Sequence, residues 1–476
     1  MLFIDGTWAD AASAKEFESR DPATGEVLGT VADASREDAV RAIEAAHAAF
    51  PAWSARTAYD RAAILHRAWE LMMAKREDLA QLMTREQGKP IRMARAEVTY
   101  AADFLLWFSE EAKRVYGETI PSSRVDQRYI VMHKPVGVAA AITPWNYPIS
   151  MLTRKIGPAL AAGCTIVVKP AEQTPLCAVE TVKILEEAGV PAGVVNLVSS
   201  SDPVAVGEEL VVNPLVRKIS FTGSTEVGRL IGAQAGQHLK RVSMELGGHA
   251  PFIVFPDADP VRAAKGAAAV KLLNTGQACI CPNRIFVHRD IAAAFIDTAT
   301  GRLEGMAAGH GLTDGVTVGP LIDEAALDKM QRQVDDAVGK GAKVLTGGER
   351  LEGEGFDDGF FWAPTVITGV TPEMLIYREE TFGPILPIIE FGDDDDVVAM
   401  ANDTPYGLAA YLYTNNLSTA LRTAEGLDFG IIGINDINPT SAAVPFGGMG
   451  DSGLGREGAK EGIHEYLDVK IAGIAL

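Results

Sequence analysis

A chain of 476 residues exceeds what one hydrophobic core usually organises, so two large domains with a cleft between them are expected. With 47% hydrophobic and 22% charged residues the composition is globular, which excludes a disordered, collagen-like or membrane-embedded chain. A formal net charge of −20 disfavours nucleic acid and anionic membrane surfaces as partners, because both need a positive face.

Met1-Leu2-Phe3-Ile4-Asp5-Gly6 lacks the basic and apolar regions of a signal peptide, and no run reaches the roughly 20 apolar residues that span a bilayer, so a cytoplasmic protein is expected. Helical patterns rich in Ala, Leu, Glu and Arg cover 36–50 and 58–87. From Val136 strands and helices alternate. The spacing predicts strands at 138–142, 165–169, 194–198 and 216–221, with helices over 147–162, closed by Gly163, and over 175–188, ended by Gly189. This alternation builds a parallel, doubly wound sheet.

A second alternation begins near Pro251, with strands at 252–255, 284–288 and 343–345, helices at 260–273 and 325–339, and a helical turn at 397–402. Asp393–Asp396 reads as a solvated turn, not a metal site. Residues 465–476 alternate like an edge strand with no partner nearby, which invites pairing with another subunit. No repeat or long linker separates the two units, so they are expected to pack tightly. Gly453-Leu454-Gly455-Arg456-Glu457-Gly458 matches a dinucleotide fingerprint, but a Gly-rich loop precedes it and the chain stops too soon for the acidic residue about 20 positions on. The motif is rejected as a phosphate loop.

Four cysteines, Cys164, Cys177, Cys279 and Cys281, are too few for a disulfide scaffold. A free cysteine is most often a small buried hydrophobe; what distinguishes Cys279 is its place on a turn, after Asn274-Thr275-Gly276-Gln277-Ala278, and its company. Glu245 precedes Gly247 and Gly248 at the seam of the two units, where desolvation lifts a carboxylate toward neutrality and suits it to general-base work. A surface glutamate ending a strand is the bland alternative. Thr143-Pro144-Trp145-Asn146 follows the end of a parallel strand, where ligands collect and an amide can donate to an oxyanion. Lys169 and Glu172 end the next strand, in reach of ribose hydroxyls. Gly223-Ser224 opens a helix after a third strand, so backbone N–H groups and the Ser224 hydroxyl can meet a phosphate.

Taken in order, Pro144-Trp145-Asn146, Lys169-Pro170-Ala171-Glu172, Phe221-Thr222-Gly223-Ser224, Glu245-Leu246-Gly247-Gly248, Gly276-Gln277-Ala278-Cys279, Glu380-Thr381-Phe382-Gly383-Pro384 and Pro445-Phe446-Gly447-Gly448 resemble the aldehyde dehydrogenase superfamily over almost the whole chain. The resemblance implies an α/β fold of two doubly wound domains plus a small β oligomerisation arm. Residues 1–117 and 137–246 would bind cofactor, 247–447 would be catalytic, and 118–136 with 463–476 would form the arm. It implies Cys279 as nucleophile, Glu245 as general base and Asn146 as oxyanion donor, with Lys169 counted among the catalytic residues as well as the cofactor contacts. Those contacts would be Ile142, Pro144, Trp145, Lys169, Glu172, Gly223, Ser224, Leu246, Glu380 and Phe382.

The implied reaction is NAD(P)-dependent oxidation of a small aldehyde to an acid through a thiohemiacetal and a thioester, without metal, in a homodimer or homotetramer. The presence of Glu245 disfavours a coenzyme A-acylating relative. Intact Cys279, Glu245 and Asn146 disfavour a non-catalytic structural relative, and an esterase using the same cysteine is a possible side activity. Glu172, near the adenosine ribose, favours NAD over NADP by repelling a 2′-phosphate, with NADP use left open.

Cys279-Ile280-Cys281-Pro282-Asn283-Arg284 and the 452–458 segment most resemble succinate-semialdehyde dehydrogenases. That likeness implies that Arg154 and Ser452 bind a distal carboxylate, with Phe446 beside the substrate. Leu273 stands where that group commonly has a second Arg. Another semialdehyde, a hydroxyaldehyde or an aromatic aldehyde is therefore the alternative substrate. Cys281 is either a redox partner of Cys279 or silent packing; zinc is disfavoured because no further Cys or His lies at suitable spacing.

Overall fold

The computed structural model describes residues 1–476 and contains two large sheets, a three-stranded one and two two-stranded pairings. In the first sheet, Val195–Leu197, Thr165–Lys169, Val138–Ile142, Val216–Thr222 and Arg241–Glu245 lie side by side and parallel. Chain order runs outward from the middle in both directions, so the winding reverses between Val138–Ile142 and Val216–Thr222. Ligands gather outside the carboxyl ends of strands at such a point. Leu2–Ile4 and Thr7–Ala9 extend one edge of the sheet, and Gly453–Leu454 pairs antiparallel with Met244 and Glu245 at the other.

Strand alternation decides the layers, because successive side chains point to opposite faces. Ala139, Ala141, Ile166 and Val168 join a core with helices Ile91–Glu111 and Ser150–Ala162, while Val138, Ala140, Val167 and Ile219 face helices Arg36–Ser54 and Pro203–Val212. The second sheet runs Lys343–Thr346, Thr365–Thr368, Ile385–Phe391, Pro282–His288, Ala250–Val254, Ala409–Tyr413 and Ile431–Ile434, parallel except for its first pair. Two cores again flank it, with Phe252 and Val254 on one face and Ile253 on the other.

Several sequence expectations need correction. The 465–476 strand has a partner in its own chain: Leu467–Ala475 pairs antiparallel with Gln127–Pro135 along its full length, and Glu118–Ile120 completes this third sheet. Its far edge stays open, carrying exposed Val469 and Ile471. The 58–87 helix is two helices, Ala58–Ala74 and Arg76–Gln87, because Lys75 leaves helical geometry at φ −96, ψ 14. The 147–162 helix starts three residues late, at Ser150, since Pro148 disfavours helical conformation at Tyr147. The 260–273 helix ends at Lys271 and hands over to the short 3-10 turn Leu273–Gly276.

The 453–458 motif forms a two-residue strand and a turn into helix Ala459–His464, with no βαβ unit around it. Asp393–Asp396 is exposed, and Asp396 caps helix Val397–Asn402. No helix is long and apolar enough to cross a membrane, and no three His, Cys, Asp or Glu side chains cluster to hold a metal ion.

Candidate active site

The turn that carries Cys279 is unusual backbone. Asn274, Thr275 and Gly276 are consecutive left-handed residues, at φ 49, 59 and 82. Such non-glycine conformations cost on the order of 1–3 kcal/mol each and persist only where the surroundings over-determine them. Here they do. Thr275 exchanges hydrogen bonds with Gly319, Gln277 Nε2 donates to Pro320 O at 3.2 Å, and Gln277 Oε1 accepts from Ile322 N at 3.0 Å. A side chain at Gly276 would strike the Gly383 carbonyl at 2.2 Å.

Cys279 is partly exposed on a cavity of about 260 Å³ whose wall is mostly apolar. Asn146 is buried beside the turn, and its Nδ2 donates to Gln277 O at 3.0 Å, leaving its second N–H for a ligand. Glu245 ends its strand 4% exposed, with Oε2 unpartnered. Neither Asn146 nor Glu245 lines the cavity. Burial first, then Glu245, push the Cys279 thiol up, and Arg154 pulls it down. Burial and then Glu457 push Glu245 well above the carboxylate range, against Arg154, Lys155 and Arg456. Burial also opposes charge on Glu457, but Lys155 and Arg154 outweigh it and hold that carboxyl below its usual value. Of two neighbouring buried carboxyls, one is therefore pushed toward its neutral form and the other toward its charged form.

Arg154 reaches the cavity from the wholly buried helix Ser150–Ala162. Its guanidinium stacks 4.0 Å above the Phe446 ring centroid, its Nε pairs with Glu457, and its Nη2 has no partner. Leu273 forms part of the same wall, as do Tyr100 and Thr440. Ser452 does not. Its hydroxyl is fully buried, accepts from Gly407 N at 2.9 Å and donates to Gly247 O at 2.7 Å, so it fastens backbone and leaves nothing for a substrate carboxylate.

The nucleotide edge lies at the carboxyl ends of the parallel strands. Ile142, Pro144, Trp145, Gly223 and Ser224 are all at least partly exposed there. Lys169 Nζ stands 3.6 Å from Glu172 Oε2 and donates to Pro170 O; burial lowers the lysine and Glu172 raises it. Ser224 Oγ caps helix Thr225–Gln237 by accepting from Val227 N, and it keeps its own proton to donate. The Gly223 N–H is occupied by Glu245 O, so that amide is not free for a phosphate. Leu246 packs over Gly228. From the second unit, Glu380 accepts from Gly248 N at 2.9 Å and Phe382 meets Trp145 edge-on at 5.7 Å. Carboxyl ends of strands at the winding reversal, with the exposed Ser224 at a helix N-terminus and the Glu172 carboxylate after the neighbouring strand, fit a dinucleotide.

Cys281 is 1% exposed, its thiol pushed up to about 11 by burial, and its Sγ contacts Val270 O at 3.2 Å. All four cysteines are free. Sequence reasoning missed Tyr100, Thr440, Lys155 and Glu457. Met93, Glu97 and Tyr100 do share one face of helix Ile91–Glu111 at spacings of four and three, a signal that was present but unassigned.

A model described as the aldehyde dehydrogenase family matches residues 8–472. The chain is 50% identical over 470 residues to a glutarate-semialdehyde dehydrogenase of Pseudomonas putida, covering 99% of this chain and 96% of that one. It is 49% identical over 476 residues to the NADP(+) succinate-semialdehyde dehydrogenase of Escherichia coli, covering 100% and 98%. The solved succinate-semialdehyde dehydrogenase from Burkholderia pseudomallei superposes with a TM-score of 0.97 at 49% identity, covering 100% and 98%.

Proposed function

Because the chain belongs to the aldehyde dehydrogenase family, and so is an NAD(P)-dependent aldehyde dehydrogenase, we propose that its substrate is a short semialdehyde bearing a distal carboxylate, oxidised to the dicarboxylate. One observation carries this reading: Arg154, a buried guanidinium with an unpartnered Nη2, lines the mostly apolar cavity that also holds Cys279. A buried cation donor without a partner is costly, and a carboxylate satisfies it with charge-assisted hydrogen bonds. Succinate semialdehyde and its one-carbon-longer homologue both suit this arrangement. Leu273 favours the longer chain, since it lays methylenes against an apolar wall where a second cation would draw a shorter acid.

In this reading Cys279 Sγ attacks the aldehyde carbon while Glu245 takes the thiol proton and releases it. The oxyanion is held by Asn146 Nδ2 and the Cys279 N–H. A nicotinamide held at the strand edge would supply the hydride acceptor; with hydride lost from the former aldehyde carbon, the oxyanion collapses to a thioester on Cys279. Glu245 then takes a proton from water as the water oxygen attacks the thioester on Cys279. The tetrahedral adduct collapses, the C–S bond breaks, and the proton returns to sulfur as the acid leaves. Lys169 and Glu172 anchor the ribose, and Glu172, one-third exposed there, favours NAD while NADP is accepted more weakly. The open edge of Leu467–Ala475 supports assembly as a homodimer or homotetramer.

The test is a steady-state panel of succinate semialdehyde, glutarate semialdehyde, a hydroxyaldehyde, acetaldehyde and benzaldehyde with each nicotinamide cofactor. The carboxylated aldehydes should lead in kcat/KM. A lead for benzaldehyde or acetaldehyde rejects the carboxylate subsite.

A further inference from the structure

We infer that the buried Lys89–Glu97 ion pair is the positioning device for Asn146, holding the oxyanion amide in place from the helical layer beside it. This rests on the role assigned to Asn146 above.

Lys89 lies in the tight connection between two helices. Gly88, left-handed at φ 84, ends Arg76–Gln87, and Pro90 opens Ile91–Glu111. The turn sends the lysine inward, where it is 1% exposed, to meet Glu97, 3% exposed, eight residues further along. Lys89 Nζ pairs with Glu97 Oε2 and also donates to the main-chain carbonyl of Asn146 at 2.9 Å. Glu97 Oε1 accepts from Ile149 N at 3.1 Å and Ser150 N at 3.2 Å, where helix Ser150–Ala162 begins. One ion pair thus holds the 146–150 loop at both ends. Between them, the ammonium sits 3.7 Å from the centroid of the Tyr147 ring.

The loop needs such support. Pro148 supplies no N–H, and residues 146–149 belong to neither the strand before them nor the helix after them. Two full charges removed from water are expensive, and an apolar pair of similar volume would fill the space at least as favourably. Apolar side chains, however, cannot fix a carbonyl and two amides at defined distances. From the other side, Asn274 Nδ2 donates to the same Asn146 carbonyl at 3.0 Å, and the Asn146 amide reaches Gln277 O. Asn146 is therefore gripped by the helical layer on one flank and by the nucleophile's own turn on the other. An oxyanion donor has to be placed to a fraction of an ångström, and displacement by about 1 Å costs roughly 100-fold in rate.

The experiment compares Lys89→Met, Glu97→Gln and their combination with Asn146→Ala, and then with Asn146→Ala added to the combination. Melting temperature confirms that each variant is folded. The combined Lys89→Met, Glu97→Gln protein should lose about 10- to 100-fold in kcat, with KM for aldehyde and NAD within about threefold of the parent. Adding Asn146→Ala to it should cost little more, because the amide is already misplaced. Losses that multiply, or a change confined to KM, overturn the inference. So does full kcat in the combination. If Lys89→Met does not fold, Glu97→Gln with and without Asn146→Ala decides by the same criterion. Undiminished kcat in Asn146→Ala alone would instead bring down the reading of Asn146, a separate failure.

Discussion

Arg154 Nε lies 2.9 Å from Glu457 Oε2, with both side chains buried. Glu457 also pairs with Lys155, so the cation on the cavity wall and the charges that surround Glu245 belong to one cluster. In the proposed reaction, substrate recognition and base chemistry share a counter-ion.

Arg154→Met removes the cation while keeping much of its volume over Phe446, and Lys155 remains to balance Glu457. We expect kcat/KM for succinate semialdehyde to fall about 100-fold and that for butyraldehyde by less than about tenfold, as befits a lost charge-assisted contact. Equal losses on the two substrates would mean that Arg154 is structural.

Leu273→Arg puts a second guanidinium on the cavity wall. Relative kcat/KM for succinate semialdehyde over benzaldehyde should rise by about tenfold, the scale of one further bidentate carboxylate contact partly offset by the cost of burying the charge. An unchanged ratio would remove Leu273 as a determinant of selectivity.

Cys279→Ala should abolish aldehyde oxidation, by more than about 10³-fold, while NAD binding measured by fluorescence titration is retained. Retained turnover would refute the nucleophile. The turn offers a companion variant. Gly276→Ala forces a Cβ to within 2.2 Å of the Gly383 carbonyl at a left-handed position, so both activity and melting temperature should fall, unlike Cys279→Ala, which should leave melting nearly unchanged.

How far the sequence reveals this site varies with the kind of residue. The parallel strands of the first sheet read clearly because Val138–Ile142 and Thr165–Lys169 are short apolar runs bounded by turn signals. Ile385–Phe391 and Ile431–Ile434 escaped notice because Pro387 and Gly433 interrupt their patterns. The strand-end motifs led to Asn146, Glu245 and Cys279, since a polar residue next to a Gly- or Pro-rich turn stands out against its strand. Lys155 and Glu457 did not stand out. A charged residue in a helix or loop looks solvated until its partner is known, and here the partners are 302 positions apart. Ser452 misled for the converse reason: a serine in a motif suggested a ligand, whereas two backbone groups already occupy its hydroxyl. Thr440 lines the cavity from a segment with no recognised motif.

The pH profile tests the shared cluster. Both Cys279 and Glu245 act deprotonated, and burial pushes both upward, so kcat/KM should rise from neutral into alkaline pH. Glu457 is the largest charged cause of the upward push on Glu245. Glu457→Gln takes that negative charge away and leaves Arg154 and Lys155, which both favour ionised Glu245, without their counter-ion. The two changes have the same sign, so the rising limb of the profile should move to lower pH. The variant should also melt at a lower temperature, because two buried cations lose their partner. A limb that stays in place or moves to higher pH would show that Glu457 does not govern the ionisation of Glu245, and that the group titrating in the profile lies elsewhere.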